Sequence, residues 1–154
     1  MTTEELMRVN PGDRLTIHGE PSNVKEVDDY VLGDAEWRDL TVGDGDEAIV
    51  LGITANIAGI RVRRWTEVDH PGGVDDRTIS HEGEEFEWEE GGKAAITYRT
   101  EEEEGEGTST YAVFVAESGN RVSVEVVEED GEDDEITAYF SGPDELVPLE
   151  AIQA

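Results

Sequence analysis

The sequence contains no cysteine in its 154 residues. This absence excludes a disulfide scaffold, a thiol nucleophile and any zinc or iron–sulfur site held by cysteine. A chain of this length can still bury about 70% of the surface that its unfolded form exposes. We therefore expect one domain with a core that needs no covalent or metal cross-link.

Basic residues are scarce as well. The chain has 11 Lys and Arg against 40 Asp and Glu, which gives a formal net charge of −29. Proteins bind nucleic acid mainly through clustered Lys and Arg on the phosphates, and this balance leaves little for that purpose. We predict no direct binding of nucleic acid.

Lysine is depleted more strongly than arginine. Only Lys25 and Lys93 accompany nine arginines, whereas the acids comprise 26 Glu and 14 Asp. A net charge this large destabilises a compact state by self-repulsion, a cost that halophilic proteins tolerate. At about 1 M salt the Debye length is only about 3 Å, so exposed carboxylates scarcely repel each other. The composition is typical of a salt-adapted cytoplasmic protein of haloarchaeal type.

An acidic decoy that mimics nucleic acid is the competing interpretation of this composition. A decoy would collect its acids on one face, but here they run from Glu4 to Glu150. That interpretation also leaves the loss of lysine unexplained.

Long apolar segments are missing. Residues 1–8 carry acids where a signal peptide needs basic and then apolar residues. The longest apolar-leaning stretch, Ala48 to Ile60, is too short to span a bilayer. We expect a cytoplasmic protein that does not insert into a membrane.

Helical periodicity is confined to the N-terminus. Thr2 followed by Glu5 matches a capping box and predicts one short helix, which the turn at residues 10–13 ends. The remainder alternates short apolar patterns with turn-forming residues every 8 to 12 positions. This pattern predicts an all-β domain of short antiparallel strands in a sandwich or partly open barrel. The predicted division is an N-terminal segment at 1–11 and one β domain at 12–154.

The second half shows the clearest strand patterns. Phe86 and Trp88 alternate with acids expected to face water, and residues 90–93 then predict a tight turn before a return strand at 94–98. Residues 111–116 are apolar on both faces, which predicts a central strand.

The two halves of the chain also resemble each other. Residues 37–51 and 111–126 both place an aromatic strand, a turn and an apolar strand in that order. We predict pseudo-repeat halves at about 12–68 and 84–152.

No constellation of catalytic or cofactor-binding residues stands out. His18, His70 and His81 are not at metal-ligand spacing. No serine lies in a nucleophile elbow, and no phosphate-binding glycine motif occurs. Paired catalytic carboxylates cannot be singled out among 40 acids. We therefore assign no catalytic residue, metal or cofactor.

One cluster departs from the composition. Arg61, Arg63 and Arg64 place three of the 11 bases next to Trp65, and Arg61, Arg63 and Trp65 would share one face of a strand. These guanidinium groups either brace local acids while packing on the indole, or form a contact for an acidic partner or a small anion. The sequence leaves both interpretations open.

Motifs spread over residues 12–152 carry a family resemblance. They are Gly12-Asp13, Val24, Val27, Trp37-Arg38-Asp39-Leu40, Asp44-Gly45 and Leu51, followed by Phe86–Thr97, Tyr111, Gly119, Val124-Glu125, Tyr139 and Gly142. They resemble the domain of unknown function 4178 family, although the segment Asn56 to Gly59 lacks the aromatic residue that the family tends to carry there. The resemblance implies an accessory or interaction role near membrane-stress proteins. It assigns no catalytic residue.

Two function classes remain from the sequence, besides the nucleic-acid mimic. The leading hypothesis is a non-enzymatic β domain that binds an unidentified protein partner, in an oligomeric state that the sequence leaves open. The rival is a small-ligand binder or hydrolase that uses paired carboxylates in the mouth of a barrel. A deep pocket with two close, buried carboxylates would favour the rival, a flat surface with an exposed sheet edge the interaction module, and a single acid-only face the mimic.

Overall fold

The computed structural model describes residues 1–56 and 59–154, without the side chains of residues 3, 55, 56 and 59–61. The elements, in chain order, are α1 (Thr3–Leu6), β1 (Arg14–Ile17), β2 (Glu20–Leu32), β3 (Ala35–Val42), β4 (Ile49–Asn56), β5 (Gly59–Val68), β6 (Thr78–His81), β7 (Glu84–Arg99), β8 (Glu104–Val115), β9 (Arg121–Glu128), β10 (Glu135–Ser141) and β11 (Ile152–Gln153). Short 3-10 turns occur at Gly45–Glu47 and Leu149–Ala151. The prediction of an all-β antiparallel fold with one short N-terminal helix is confirmed.

The capping box at the N-terminus forms as the sequence predicts. The Thr2 backbone N–H donates to Glu5 Oε1 at 3.1 Å, and the Glu5 N–H donates to Thr2 Oγ1 at 3.2 Å. Two otherwise unpaired donors of the helix start are satisfied reciprocally.

Eight strands form a closed ring. Strands β2 to β5 make one antiparallel meander and β7 to β10 make another, and the pairings β5–β10 and β2–β7 join the two meanders. Strands β1 and β11 extend the sheet beside β2, and β6 extends it beside β7. The two meanders span residues 20–68 and 84–141, and the pseudo-repeat of the two halves stays a prediction.

The predicted turn at residues 90–93 is wrong. Strand β7 runs without a break from Glu84 to Arg99 and only shifts register between Trp88 and Glu90 against β8. Glycine there allows β7 and β8 to approach each other closely, because a Cβ on Gly91 would lie 2.6 Å from the Tyr111 carbonyl oxygen. Glycine within a strand is typical of such bulges as well as of turns, and the sequence pattern does not separate the two.

The apolar face of the first meander packs outside the ring. Its core side chains include Val27, Leu40 and Leu51, each fully buried against Leu6 and Leu15 from outside the ring. The N-terminal segment is therefore packed onto the β domain. Arg38 holds this segment as well, because its Nη1 donates to the Val9 carbonyl oxygen at 3.1 Å while its Nε donates to Asp29 Oδ1 at 2.7 Å.

The second meander is covered in the same way. Phe114, Val122 and Val124 are fully buried and pack with Ile79 from β6 and with Phe86. Strand β8 pairs with β7 on one side and β9 on the other, so the prediction of a central strand at residues 111–116 is confirmed.

In the part of the chain that the structure describes, no helix has the length and apolar character needed to cross a membrane.

Candidate functional site

The polar face of both meanders points into the ring. Strand register places Tyr30 opposite Trp37, and Asp28 opposite Asp39. Because the apolar cores pack on the other face, these side chains lie inside. The Tyr30 hydroxyl, on β2, donates to Glu125 Oε2 on β9 at 2.8 Å, although the two strands are not neighbours in the ring. The ring interior therefore contains ionisable side chains, beside a small apolar cluster of Tyr30, Ala94 and Ile96.

A cavity of about 530 Å³ occupies this interior. Ligand sites for small molecules usually measure about 300–1,000 Å³. The aromatic side chains on its wall are Trp37, Trp65, Tyr111 and Tyr139. The charged side chains on its wall are Asp39, Arg63, Glu89, Glu90, Arg121 and Glu125. The space suits a small organic molecule that makes both aromatic and charged contacts.

Aromatic rings support one wall of the cavity. Tyr30 stacks on Trp37 with ring centroids 5.2 Å apart and planes 6° from parallel. Trp37 in turn meets Tyr111 edge to face at 5.3 Å. These geometries are the favourable ones for aromatic pairs. The Trp37 ring is thus held between two neighbours from different strands.

Asp39 is the central carboxyl group. Its side chain lines the cavity, and the residue is half-buried. Burial and, to a smaller extent, the negative charge of Glu125 together raise the pKa of Asp39 to about 8, although the nearby Tyr30 hydroxyl lowers it. Near neutral pH this carboxyl group therefore holds a proton.

Glu125 faces the same space. Burial raises its pKa, whereas the hydrogen bond from Tyr30 and the proximity of the Ser109 hydroxyl lower it. Ser109 is fully buried, and its Oγ lies near Glu125 without meeting the geometry of a hydrogen bond to any described residue. The site thus contains a buried hydroxyl that is not fully satisfied.

A third acid lies beside these two. Burial, the charge and side-chain contact of Glu26, and the charges of Asp39 and Glu125 together raise the pKa of Asp28 to about 10. Its Oδ1 is buried and has no hydrogen-bond partner among the described residues. Buried polar atoms normally have a hydrogen-bond partner, so we expect this oxygen to carry a proton or to contact a ligand.

Gly52 keeps the centre of the site open. A Cβ at this position would lie 3.0 Å from Trp65 Nε1 and 3.4 Å from Asp39 Oδ1. The indole N–H and the carboxyl group therefore approach the same point over the backbone of β4. A side chain at residue 52 would displace one of them.

The predicted arginine cluster is divided by the strand. Arg63 and Trp65 line the cavity, whereas Arg64 lies on the opposite face and is exposed. The backbone of Arg61 pairs with Thr54, and its side chain lies outside the described residues. The structure thus brings together two of the four predicted residues.

Arg63 is held within the chain. Its Nη1 donates to the Gly142 carbonyl oxygen at 2.9 Å and to Ser141 Oγ at 3.3 Å. These two contacts are made to neutral groups of the chain, and the interpretation of the arginines as a brace for local acids stays a prediction. The contact with a partner or anion stays a prediction.

The second cavity arginine is paired with an acid. Arg121 Nη1 donates to both carboxylate oxygens of Glu89, at 2.9 and 2.8 Å. Charge-assisted contacts of this kind are stronger than neutral ones. This pair therefore adds little net charge to the cavity wall.

Sequence reasoning missed Asp28, Asp39 and Glu125. Among 40 acids they look like surface residues. One pattern could have identified them, because Asp28 shares its strand face with Tyr30, and Asp39 shares its face with Trp37. A face that carries both acids and large aromatics differs from an ordinary solvated face.

The described residues contain no group of three or more His, Asp or Glu side chains arranged to hold a metal ion. Of the three histidines considered in the sequence, His18 lies in the turn between β1 and β2, where it has a positive φ angle.

No family model, no curated protein and no solved structure matches the chain. The resemblance to the domain of unknown function 4178 family therefore stays a prediction.

Proposed function

We propose that the protein binds a small organic molecule inside the ring. The observation that carries this proposal is the cavity of about 530 Å³ lined by Trp37, Trp65, Asp39 and Glu125. Of the two function classes that the sequence left open, a cavity lined by partly buried carboxyl groups favours the small-ligand binder.

The composition of the interior supports this proposal energetically. Protein interiors are normally packed to the density of organic crystals, with few voids larger than a water molecule. Both outer faces of the ring follow that rule, with cores of Leu, Val and Phe. The interior instead keeps an open space and buries carboxyl groups at a cost in stability. Perturbed carboxyl groups around a cavity are typical of functional sites.

The role as a protein-interaction module stays a prediction from the sequence, as do the absence of nucleic-acid binding and the cytoplasmic location. A hydrolytic role would use the same two acids, Asp39 and Glu125. The proposal is limited to binding.

Fragment binding observed by NMR tests the proposal. The protein is kept in the salt in which it is folded, and a library of small organic fragments is added. We expect bound fragments to shift the indole signals of Trp37 and Trp65. The absence of any fragment that shifts these signals would overturn the proposal.

A matched pair of variants locates the binding. Ser123 lies on the inner face of β9 and lines the cavity, whereas Thr66 lies on the outer face of β5 and is exposed. Ser123→Phe fills part of the cavity and should weaken fragment binding by about tenfold or more, which corresponds to about 1.4 kcal/mol. Thr66→Phe adds the same ring outside and should leave binding unchanged. Circular dichroism checks that both variants fold, and equal binding by the two would place the fragments elsewhere.

A further inference from the structure

We propose that the molecule bound inside the ring is an organic cation with an alkylammonium group, held between Asp39, Glu125 and the aromatic side chains of the cavity wall. This inference rests on the proposed function, because it names the class of ligand for the same cavity. The charge of the wall, its aromatic rings and its unsatisfied polar atoms all support this class.

The charges on the cavity wall favour a cation. Four acids and two arginines line the space. Arg121 is paired with Glu89, and Arg63 donates to a carbonyl and a hydroxyl oxygen. Asp28 adds a further acid next to Asp39. Burial raises the pKa of both Asp39 and Glu125, and a positive group between them would favour the ionised form of each.

The aromatic rings favour the same ligand class. A cation is attracted to the face of an aromatic ring, most strongly to that of Trp, and the attraction grows where water is excluded. Trp37, Trp65, Tyr111 and Tyr139 all line the cavity. Aromatic rings combined with carboxylates form the usual recognition site for quaternary ammonium groups.

Two polar atoms are left without a partner inside the ring. Ser109 Oγ is fully buried, and Asp28 Oδ1 is a buried atom, and neither has a hydrogen-bond partner among the described residues. Both lie on the inner face, near Glu125 and Asp39. A ligand with a polar group beside its cation could satisfy them.

The protonation of Asp39 determines how binding depends on pH. The charged and titratable groups that face the same space are Asp28 and Tyr30 on β2, Arg63 on β5, Glu89 and Glu90 on β7, Tyr111 on β8, Arg121 and Glu125 on β9 and Tyr139 on β10. The described residues of β4 that line it are Val50, Gly52 and Thr54, which do not titrate. The pKa of Asp39 is about 8 in the empty site. A bound cation favours the ionised carboxylate, so affinity should rise as pH increases towards 8 and level off above it.

A pair of isosteric probes tests the charge. Choline carries a permanent positive charge, and 3,3-dimethylbutan-1-ol has the same shape with carbon in place of nitrogen. Both are titrated by NMR into the full chain, at constant high potassium chloride, from pH 6 to pH 9. We expect choline to bind about tenfold or more tightly than the alcohol. Because choline does not titrate, any pH dependence belongs to the protein.

Two variants test the role of Asp39. Asp39→Asn should weaken choline binding about tenfold and abolish its increase with pH, since one proton linked to binding gives at most about tenfold per pH unit. Glu36→Gln removes one charge from the exposed outer face of the same strand and should leave both the affinity and the pH dependence unchanged.

The outcomes separate this inference from the proposed function. Binding of the neutral alcohol as tightly as choline, binding of neither probe, or a pH dependence that survives in Asp39→Asn would overturn the cation inference. Fragments that still bind in the cavity would then leave the proposed function intact. Fragments that fail to bind would overturn both.

Discussion

The two faces of the same eight strands have opposite compositions. The outer face carries Leu40, Leu51 and Phe114, all with no exposed surface, under a cover of terminal and connecting segments. The inner face carries Asp39 and Glu125 around a cavity. The comparison shows that alternation along a strand separates a polar face from an apolar one without saying which face meets solvent.

The two faces also contribute differently to stability. Burial of apolar surface on the outer face stabilises the fold at roughly 25 cal/mol per Å². Burial of ionisable groups on the inner face lowers stability unless they are paired or neutralised. We therefore expect the outer face to supply the stability and the inner face to supply the site. Changes in salt, in core side chains, in pH and at the arginines can test this division of roles between the outer and the inner face.

Salt should have the largest effect on stability, because it screens the repulsion between acids on the exterior. A net charge of −29 repels itself at low ionic strength, because 40 acids are opposed by only 11 bases. Thermal melts followed by circular dichroism at ~0.1 M and ~2 M salt should show a folded chain only, or far more stably, at the higher concentration. Equal melting temperatures would contradict the salt-adapted interpretation.

Shortening a side chain of the outer core should lower the free energy of unfolding more than shortening one on the cavity wall. Phe114→Ala should lower the free energy of unfolding by about 3–5 kcal/mol, because Phe114 is fully buried. Val113→Ala, on the inner face of the same strand, should cost less than about 1.5 kcal/mol, because Val113 borders open space. Denaturant titrations at constant high salt measure both values. Equal costs would remove the distinction between the two faces.

The inner acids should make the folded chain less stable as pH rises. Burial raises the pKa of Asp39 from 3.8 to about 8, so the folded state holds a proton that the unfolded state releases. Between about pH 5 and 8 the free energy of unfolding should therefore fall with pH, by up to about 1.4 kcal/mol per pH unit for this group. Above the folded pKa its contribution is lost completely.

A variant isolates the Asp39 contribution. Asp39→Asn cannot ionise, so its unfolding free energy should depend less steeply on pH between 5 and 8, while Glu36→Gln keeps the slope of the wild type. Asp28, with its pKa raised to about 10, contributes in the same direction in all three proteins. An unchanged slope in Asp39→Asn would show that its carboxyl group is not buried as described.

Neighbouring arginines should differ because they lie on opposite faces. Arg63→Ser removes charged hydrogen bonds to Gly142 and Ser141 and should cost about 1.5–3 kcal/mol. Arg64→Ser removes an exposed side chain and should change stability by less than about 0.5 kcal/mol. Denaturant titration compares the two, and a larger loss for Arg64→Ser would reverse the assignment of faces.

Much of the fold was predictable from local patterns. The capping box at Thr2 and Glu5, the central strand at residues 111–116 and the antiparallel class all depend on near neighbours in the chain. The turn predicted at residues 90–93 failed because its glycines accommodate the Tyr111 backbone of β8, a neighbour 20 positions away. Local composition contains no information about that contact.

The candidate site was predictable only in part. The arginine cluster at residues 61–65 singled out Arg63 and Trp65, which do line the cavity. It also included Arg64, which the alternation of the strand places on the other face. Asp39 and Glu125 were hidden because each is one acid among 40, and only the pairing of the strands distinguishes them.

The sequence by itself determined the strand pattern, the acidic surface and the alternation of polar with apolar side chains, since these properties depend on residue type and spacing of two. Only the tertiary structure decided which face is enclosed. The pairing of β2 with β7 closes the ring over the polar face, and this choice depends on the terminal and connecting segments that cover the apolar face outside. Burial, and with it the raised pKa of Asp39, is a property of that closure, because a carboxyl group loses its water only when distant strands surround it.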